Sequence, residues 1–368
     1  MKPRCLYFTQ QQLINNDGAS DKAIAQNDAI KTLGVESQLA HVKESDQGWQ
    51  LYIDDKILAK EGKYNLIYRD IVEYVKKQNI QLLYIRYTVN ANIAYYFFLR
   101  DIAKLGVKIY LEIPTYPYDG EMKCTSIRAT IKKYMEMFLR NRWKGLVYRI
   151  VTSSMAEKIY GIPTIIISNA PAHKLPTKKA LSVEGTINMI AVANLAFWHG
   201  YDRLIRGMAN YYQSNPELKV FLTIAGVGRP EIYNELKALT DELKLNDYVK
   251  FIGSKSNTEL NPYFEESHLA IGCLGCHRKN IVEVKSLKNV EYAMRGIPMV
   301  YSESNTDFDG RPYVLRVPAD DTDIDVKLLC DFVKQLKMTP SEIHDSVSDF
   351  TWDNQMKKIF GCFKSNEA

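Results

Sequence analysis

Short apolar runs alternate with amphipathic stretches along most of the chain, and this alternation constrains the fold more than any other feature. In the first half, the apolar runs predict strands at residues 5–8, 37–42, 82–85, 107–113, 146–151 and 164–167. Helical periodicity fills the intervals, at residues 19–33, 64–78, 91–105 and 122–142. This order of elements predicts a parallel sheet covered by helices on both faces. An Asp-Asp turn at Asp54 and Asp55 adds one hairpin after the second strand.

Residues 168–186 interrupt the pattern, because they are rich in Pro, Lys and small residues and have no periodicity. We interpret them as an interdomain linker. The alternation then restarts, with strands at 187–193, 220–225, 248–252, 269–272 and 299–301 and helices at 201–212, 232–243, 258–267 and 286–294. We therefore predict an α/β protein of two Rossmann-like, doubly wound domains facing a central cleft. They span residues 1–170 and 187–345, and a C-terminal helix within 351–368 packs back on the first domain.

Composition narrows the class of protein. A chain of 368 residues is too long for one ordinary core and fits two domains. A net charge of +5 gives no argument for nucleic acid as a partner. No stretch reaches the length of about 18 apolar residues that a spanning helix needs. The N-terminal sequence MKPRCLYFTQ lacks the features of a signal peptide, and the six cysteines are scattered, so we expect free thiols and a cytoplasmic location.

A Gly-x-Gly turn follows the apolar run at residues 221–225. Gly226 and Gly228 lie between this predicted strand and the next helix. Glycines at such a turn let backbone N–H groups approach a phosphate at the start of a helix. The third glycine of a dinucleotide fingerprint is missing, which disfavours a nicotinamide oxidoreductase. A turn that only connects strand to helix is the alternative.

A second segment, VEVKSLKNVEYAMRGIP, carries two glutamates, Glu283 and Glu291. Ser286 opens a predicted helix, whose start at Leu287 and Lys288 offers backbone N–H groups and a cation that suit a pyrophosphate. Glu291 lies inside that helix, where a carboxylate is able to accept from both hydroxyls of a ribose. A surface helix with ordinary charged residues is the alternative interpretation.

This segment resembles the Glu-x7-Glu motif of retaining glycosyltransferase family 4, which has the GT-B fold. Three further stretches follow the family's order, IAVANL from residue 190, LTIAGVG from residue 222 and LNDYVKFIG from residue 245. The resemblance covers residues 187–301. It implies transfer of a sugar from a nucleoside-diphosphate sugar to a glycan or lipid-linked glycan in polysaccharide biosynthesis, with retention of anomeric configuration. Such enzymes need no metal ion or other cofactor.

The resemblance also implies roles for individual residues. Glu291 would bind the donor ribose, the backbone N–H groups of Ser286 and Leu287 the pyrophosphate, and Glu283 the transferred sugar. Lys255, in the loop 253–256, would lie near the base.

The sequence departs from the family where two phosphate-binding cations are usual. Asn194 takes the place of the Arg, and His199 followed by Gly200 takes the place of the Lys-Gly pair. His199 would serve as a cation only if a neighbouring anion raised its pKa, and a histidine packed beside Trp198 is the alternative. Four other cations are candidates to supply the missing charge: Arg203, Arg278, Lys279 and Lys288.

Two loops of the first domain are candidates for the acceptor site. One contains Glu112, Tyr116 and Asp119, where two prolines and two tyrosines predict a stiff polar-aromatic shelf. The other runs from Thr9 to Gly18 after the first strand. A purely structural Pro-rich loop is the alternative.

Two further features carry weaker hypotheses. Cys273 and Cys276 have redox spacing but no second pair, which supports neither zinc binding nor thioredoxin chemistry. Residues 126–149 are rich in Lys, Arg and aromatic residues, which predicts either a solvated helix face or peripheral contact with anionic lipid at the inner face of the cell membrane.

The alternatives to a glycosyltransferase are a nucleotide-sugar epimerase, a phosphorylase and a non-catalytic sugar-nucleotide-binding protein.

Overall fold

The computed structural model describes residues 2–14, 18–46, 48–62, 64–89, 91–114, 116–119, 122 and 126–361. The chain forms two compact units. Unit 1 contains Met1–Ser168 and Thr351–Ala368, and unit 2 contains Asn169–Phe350.

Unit 1 is built on one mixed sheet. In the described residues its strands are β1 (Arg4–Thr9), β2 (Glu36–Ser45), β3 (Gly48–Ile53), β4 (Lys56–Gly62), β5 (Leu82–Arg86), β6 (Lys108–Ile113), β7 (Arg149–Thr152), β8 (Lys158–Ile159) and β9 (Ile162–Ile166). Its first helices are α1 (Gly18–Thr32), α2 (Tyr64–Lys77), α3 (Ile93–Lys104) and α4 (Ile127–Arg140). The strand order is β4-β3-β2-β1-β5-β6-β7-β9-β8, and the six strands from β2 to β9 in this order run parallel.

The predicted hairpin joins β3 to β4 and is confirmed. Asp54 and Asp55 both take left-handed conformations, with φ of 47° and 64°. Asp and Asn tolerate this region better than other side chains, which suits a tight turn between antiparallel strands. The Asp54 carboxylate also accepts from the backbone N–H of Leu39 at 2.9 Å, which ties the turn to β2.

A buried ion pair lies on the sheet of unit 1. The Lys22 Nζ of α1 is 2.9 Å from the Glu112 carboxylate of β6, and the Tyr84 hydroxyl donates to the same carboxylate at 2.8 Å. Burial alone would raise the pKa of Glu112, but Lys22 and Arg86 outweigh it and hold that pKa below its usual value. Glu112 is therefore an ionised anchor between helix and sheet.

Unit 2 is built on a parallel sheet. In the described residues its strands are β10 (Thr186–Val192), β11 (Lys219–Ala225), β12 (Val249–Gly253), β13 (Leu269–Ile271), β14 (Met299–Tyr301) and β15 (Val314–Arg316). Its helices are α5 (Tyr201–Gln213), α6 (Pro230–Glu242), α7 (Asn257–Glu265), α8 (Leu287–Met294), α9 (Val326–Gln335) and α10 (Pro340–Asp345). The strand order is β12-β11-β10-β13-β14-β15. Starting from β10, the chain adds β11 and β12 on one side and then β13, β14 and β15 on the other, which is the arrangement of a doubly wound sheet.

The last helix, α11 (Trp352–Phe360), packs within unit 1. The ring of Phe360 lies 5.4 Å from that of Tyr110, and Lys22 lies 5.1 Å above the Trp352 ring. The hydroxyl of Thr32 donates to Asp353 at 2.6 Å. These contacts fix α11 against α1 and the sheet.

The predicted strand–helix alternation in both halves is confirmed, with shifted boundaries. The strand predicted at 146–151 begins only at Arg149, because Leu146 and Val147 close a turn by donating to the Trp143 carbonyl. Residues 169–185 have no helix or strand, yet they pack on unit 2 rather than spanning open solvent. Leu175 is buried there, and the Lys178 N–H donates to the Arg295 carbonyl at 2.9 Å. In the part of the chain that the structure describes, no helix is long and apolar enough to cross a membrane.

We expect Lys22→Met to lower the free energy of unfolding by about 3–5 kcal/mol, because it leaves the Glu112 carboxylate buried without its counter-charge. The double variant Lys22→Met/Glu112→Gln recovers most of this loss. Since the folded pKa of Glu112 lies below its unfolded value, the contribution of the pair is present above the unfolded pKa and is lost as pH falls through the folded pKa. Urea unfolding at several pH values measures both effects, and equal losses in the single and double variants would contradict the assignment.

Candidate functional site

Two loops meet at the carboxyl edge of the sheet in unit 2, where neighbouring strands β10 and β11 end. A Cβ atom on Gly226 would lie 1.8 Å from the Ala193 carbonyl oxygen, and one on Gly228 would lie 2.1 Å from the Leu195 carbonyl oxygen. Both glycines also have positive φ, 118° and 68°. No side chain fits at either position, so the Gly-x-Gly turn is required for the two loops to pack together.

Gly200 brings a third loop to the same edge. Its φ is 65°, and a Cβ atom would lie 2.6 Å from the backbone carbon of Leu274, just after β13. The Leu274 N–H donates to the His199 carbonyl at 2.9 Å. The loops after β10, β11 and β13 are thus locked together by backbone contacts.

His199 is buried and neutral in this arrangement. Its Nδ1 accepts from the backbone N–H of Ala196 at 3.1 Å, and its ring stacks on Tyr201 with centroids 5.5 Å apart. Burial, together with the positive charges of Lys288 and Lys279, lowers the pKa of His199 to about 2. His199 has cations rather than an anion for neighbours, so this structure favours the alternative of a packed, neutral histidine. A donor-binding role for His199 stays a prediction. With Nδ1 as acceptor, the ring proton lies on Nε2.

The Arg203 side chain lies in the interior of unit 2. Its side chain is fully buried, and its guanidinium donates to the carbonyl oxygens of Leu274, Thr322 and Pro318. It also lies 3.4 Å from Asp320. All three nitrogens are used, so the structure argues against Arg203 as a donor-binding cation and makes it a brace beneath the strand-end loops.

Arg278 is held by carboxylates. It donates to both oxygens of Asp202 at 2.9 Å each and to Asp321 at 2.7 Å. These two partners and the Phe197 carbonyl account for its guanidinium nitrogens. Its charge is therefore neutralised locally, which disfavours it as a replacement for the family's phosphate ligands.

The two lysines lie beside His199. Lys288, in the first turn of α8, donates to the Tyr201 hydroxyl at 3.4 Å. The Nζ of Lys279 lies 4.2 Å from the centre of the Trp198 ring. The charges of both lysines lower the pKa of His199. Both therefore create positive potential at His199, the position that resembles the phosphate-binding lysine of family 4. Of the four candidate replacements, Lys279 and Lys288 are the ones that the structure brings together.

The start of α8 completes this edge. Ser286 is its N-cap residue, but its side chain makes no capping hydrogen bond. Glu291 is half-buried on the helix, and burial raises its pKa above the usual carboxyl value although Arg295 and Lys288 oppose the shift. Among the described residues, the Glu291 carboxylate makes no hydrogen bond or ion pair.

Glu283 lies just before α8. It forms an isolated parallel β-bridge with Ser304, a residue that follows β14. Its carboxylate accepts from the Thr306 hydroxyl at 3.2 Å and remains half-buried. The bridge holds the first glutamate of the motif next to the end of β14.

The remaining donor candidates lie at the rim. Asn194 is exposed after β10. The Gly226 N–H donates to the Gly253 carbonyl at 2.7 Å, so the loop after β12 reaches the same edge. In that loop Lys255 lies 3.5 Å from Glu259 at the start of α7.

Of the residues predicted to bind the glycan acceptor in unit 1, some are buried and others are exposed or half-buried. Glu112 is buried in its pair with Lys22, which argues against direct contact with an acceptor. Thr9 is also buried, at the end of β1. Gly18 is exposed at the start of α1, and the half-buried Tyr116 packs edge-on against Tyr160. For Thr9, Gly18 and Tyr116 an acceptor role stays a prediction.

Asp119 belongs to a polar network that anchors the predicted shelf to α4. Its two carboxylate oxygens accept from Arg140 at 2.6 and 3.1 Å. Arg140 also pairs with the buried Glu136, which accepts from the Tyr118 hydroxyl at 2.7 Å. Asp119 therefore positions the loop, and its half-exposed carboxylate is already paired. Glu121, also in this stretch, lies outside the described residues.

Two tyrosines at this edge of the sheet, Tyr201 and Tyr292, were not predicted from the sequence. Tyr201 is fully buried and contacts both His199 and Lys288, but one tyrosine among 24 does not stand out. The Tyr292 hydroxyl accepts from the Val192 N–H and donates to the Ile271 carbonyl, which fastens α8 to the ends of β10 and β13. A tyrosine directly after the second glutamate of the motif was the available signal.

The two closely spaced cysteines are part of the packing. Cys273 and Cys276 are buried against Ile281 after β13. In the described ranges, no group of three or more His, Cys, Asp or Glu side chains is arranged to hold a metal ion.

Residues 176–307 match the family described as Glycosyl transferases group 1. No curated protein matches the sequence. Solved structures are similar over nearly the whole chain. Anabaena HepE in complex with UDP has a TM-score of 0.61 at 15% identity, over 99% of this chain and 100% of that chain. Sucrose-phosphate synthase from Thermosynechococcus elongatus has a TM-score of 0.60 at 11% identity, with the same coverage.

The chain has the GT-B fold. The two parallel-sheet units described above are those of GT-B glycosyltransferases. A putative UDP-N-acetylglucosamine 2-epimerase from Listeria monocytogenes is also similar, with a TM-score of 0.54 at 10% identity over 100% of this chain and 98% of that chain. The family match, which lies on the unit that carries the motif, and the GT-B fold together support a glycosyltransferase.

We expect Glu291→Ala to weaken binding of the donor by about 1–3 kcal/mol, the range for a lost hydrogen bond to a charged group. Because burial raises the pKa of Glu291, affinity in the wild type falls as pH is lowered through a range above that of an ordinary carboxyl. Glu291→Gln is the isosteric variant and abolishes this pH dependence. Calorimetric titration across pH tests both statements, and an unchanged affinity in the folded Glu291→Ala protein would remove Glu291 from the site.

We expect Lys288→Gln to weaken binding of a nucleoside diphosphate by about 1.5–3 kcal/mol and to reduce the salt dependence of that binding. Lys334→Gln, an exposed lysine on α9, is the matched control and leaves both unchanged. Equal affinities in all three proteins would show that the diphosphate charge is met elsewhere.

Proposed function

We propose that this protein transfers a sugar from a nucleoside-diphosphate sugar to a glycan or lipid-linked glycan acceptor, with retention at the anomeric carbon. The observation that carries the proposal is the grouping of Lys279, Lys288 and the start of α8 beside the locked strand-end loops of unit 2. Retention is proposed from the resemblance to family 4, and the UDP bound by HepE supports a nucleotide donor.

Different residues of unit 2 would contact different parts of the donor. Backbone N–H groups at Ser286 and Leu287, together with the two lysines, would bind the diphosphate, since a helix N-terminus and cations favour anions. Glu291 would accept from the ribose hydroxyls, and Glu283 would contact the transferred sugar. Lys255, in the loop after β12, would lie near the base.

The reaction replaces one bond to the anomeric carbon by another. The bond to the diphosphate oxygen breaks, and a bond to an acceptor hydroxyl oxygen forms on the same face of the sugar. The acceptor proton passes to the departing phosphate oxygen, so no separate base is required. The lysines and the start of α8 stabilise the charge that develops on the diphosphate, which is where fixed positive groups accelerate such a step.

The proposed setting is surface-polysaccharide biosynthesis in the cytoplasm, at the inner face of the membrane, where a lipid-linked acceptor would be presented. A nucleotide-sugar epimerase is the second candidate, because the similar Listeria structure is described as one. The two functions differ in their need for an acceptor.

Incubation with a panel of nucleotide sugars, with and without glycan acceptors, decides between them. We expect release of nucleoside diphosphate that depends on the acceptor, and a product that carries the sugar with its anomeric configuration retained. A changed donor sugar in the absence of any acceptor would identify an epimerase instead.

We also expect turnover to survive an excess of EDTA, because lysines and the start of α8 would neutralise the leaving diphosphate. The measurement compares rates in chelator, in chelator followed by Mg²⁺ or Mn²⁺, and in untreated enzyme. Activity lost in EDTA and restored by either cation would overturn the proposed metal independence.

A further inference from the structure

One face of α4 in unit 1 is apolar and exposed. Ile127, Ile131, Tyr134 and Phe138 are 83%, 62%, 65% and 57% exposed. Their spacing of four, three and four residues places them in one row along the helix. Contiguous exposed apolar surface of this kind marks an interaction site rather than ordinary surface. We name this row the outer stripe.

Cations accompany the outer stripe. Arg128 and Lys132 are exposed on the same helix, and the Arg142 guanidinium lies 3.6 Å from the centre of the Phe138 ring. Glu136 is the only acidic residue from 126 to 149, and it is buried on the opposite face. The exposed surface of α4 therefore combines an apolar row, which Arg142 contacts at Phe138, with two further exposed cations, Arg128 and Lys132.

The inner face of α4 is already occupied. Trp143 is fully buried, Arg140 is buried in its network with Glu136 and Asp119, and Lys133 donates to the Asp119 carbonyl at 3.3 Å. These basic and aromatic residues of the sequence-predicted surface are thus structural. They hold α4 rigidly to the loop after β6 and leave the outer stripe facing solvent.

We propose that the outer stripe docks this protein on an anionic lipid surface. Interfacial helices combine one apolar row with flanking Lys and Arg, so that the row enters the headgroup boundary while the cations meet anionic lipids. The positive flank is what selects a bilayer as occupant over an uncharged apolar partner. The loop that contains Tyr116 and Asp119 is fastened to the same helix, so docking brings this predicted acceptor loop near the membrane.

Docking is tested by sedimentation of the full chain with vesicles of phosphatidylcholine alone or mixed with phosphatidylglycerol, at low and high salt. We expect wild-type protein to pellet with anionic vesicles and to be released by salt, as the Debye length shrinks from about 10 Å at 0.1 M to about 3 Å at 1 M. Ile127→Ser/Ile131→Ser/Phe138→Ser, the outer-stripe variant, removes three of the four apolar side chains of the outer stripe and abolishes pelleting. Arg128→Gln/Lys132→Gln/Arg142→Gln lowers the vesicle partition coefficient by about fivefold for each charge, or about 100-fold together.

The control variant is Lys327→Gln/Leu328→Ser/Lys334→Gln, which changes exposed residues on α9 of unit 2 and keeps wild-type pelleting. Circular dichroism and calorimetric affinity for a nucleoside diphosphate are measured on every variant. Lost pelleting with intact folding and intact nucleotide binding supports docking, whatever the fate of the proposed transfer reaction.

Three outcomes overturn the proposal. Wild-type protein that stays in the supernatant with anionic vesicles at low salt is the first. Equal pelleting of the outer-stripe variant and the control is the second. The third is a concentration-dependent dimer, seen by analytical ultracentrifugation without lipid and lost in the outer-stripe variant, which would show that a second copy covers this face.

Discussion

The close approach of backbone segments at the carboxyl edge of the unit 2 sheet is the constraint on which the rest of the site depends. Gly226 and Gly228 leave room for the loop after β10, and Gly200 leaves room for the loop after β13. A single methyl group at any of these positions would separate loops that now touch. With the loops locked, His199, Tyr201 and the start of α8 have fixed positions, and the chemistry of the site follows from what lies beside them.

A neutral histidine at the position of the family's lysine has an electrostatic consequence. Buried against Tyr201, His199 does not carry a charge, so the positive potential needed for a diphosphate has to come from other elements. Lys288 on α8 and Lys279 after β13 lie close enough to depress the pKa of that histidine. Arg203 and Arg278 do not supply this potential, because carbonyl and carboxylate partners already occupy their guanidinium nitrogens. In the proposed site, Lys279 and Lys288 from two other elements would supply this charge.

Much of the fold could be predicted from local patterns, because each β-strand and helix carries its own periodicity. Strand β15 and helix α10 were missed because they have only three and six residues, too few to show a clear periodicity. Helix α9 was also missed, although its apolar residues recur at helical spacing. The helix start at Ser286 could be predicted from the sequence, and α8 begins there. The roles of Glu283 and Glu291 in the site stay predictions. The burial of Arg203 could not be predicted. Its hydrogen-bond acceptors are the backbone carbonyls of residues 274, 318 and 322, which are distant in sequence and give no side-chain signal. The same holds for Lys133 and Arg140, whose burial depends on the loop packed beneath α4.

The proposed donor site is best tested by a crystal structure of the protein with the tightest-binding member of a panel of UDP, ADP and GDP. We expect diphosphate oxygens within hydrogen-bonding distance of Lys279, Lys288 and the backbone N–H groups at the start of α8, with both ribose hydroxyls donating to Glu291. A diphosphate bound instead by Arg203 or Arg278, or a nucleotide found away from the strand-end loops of unit 2, would contradict it.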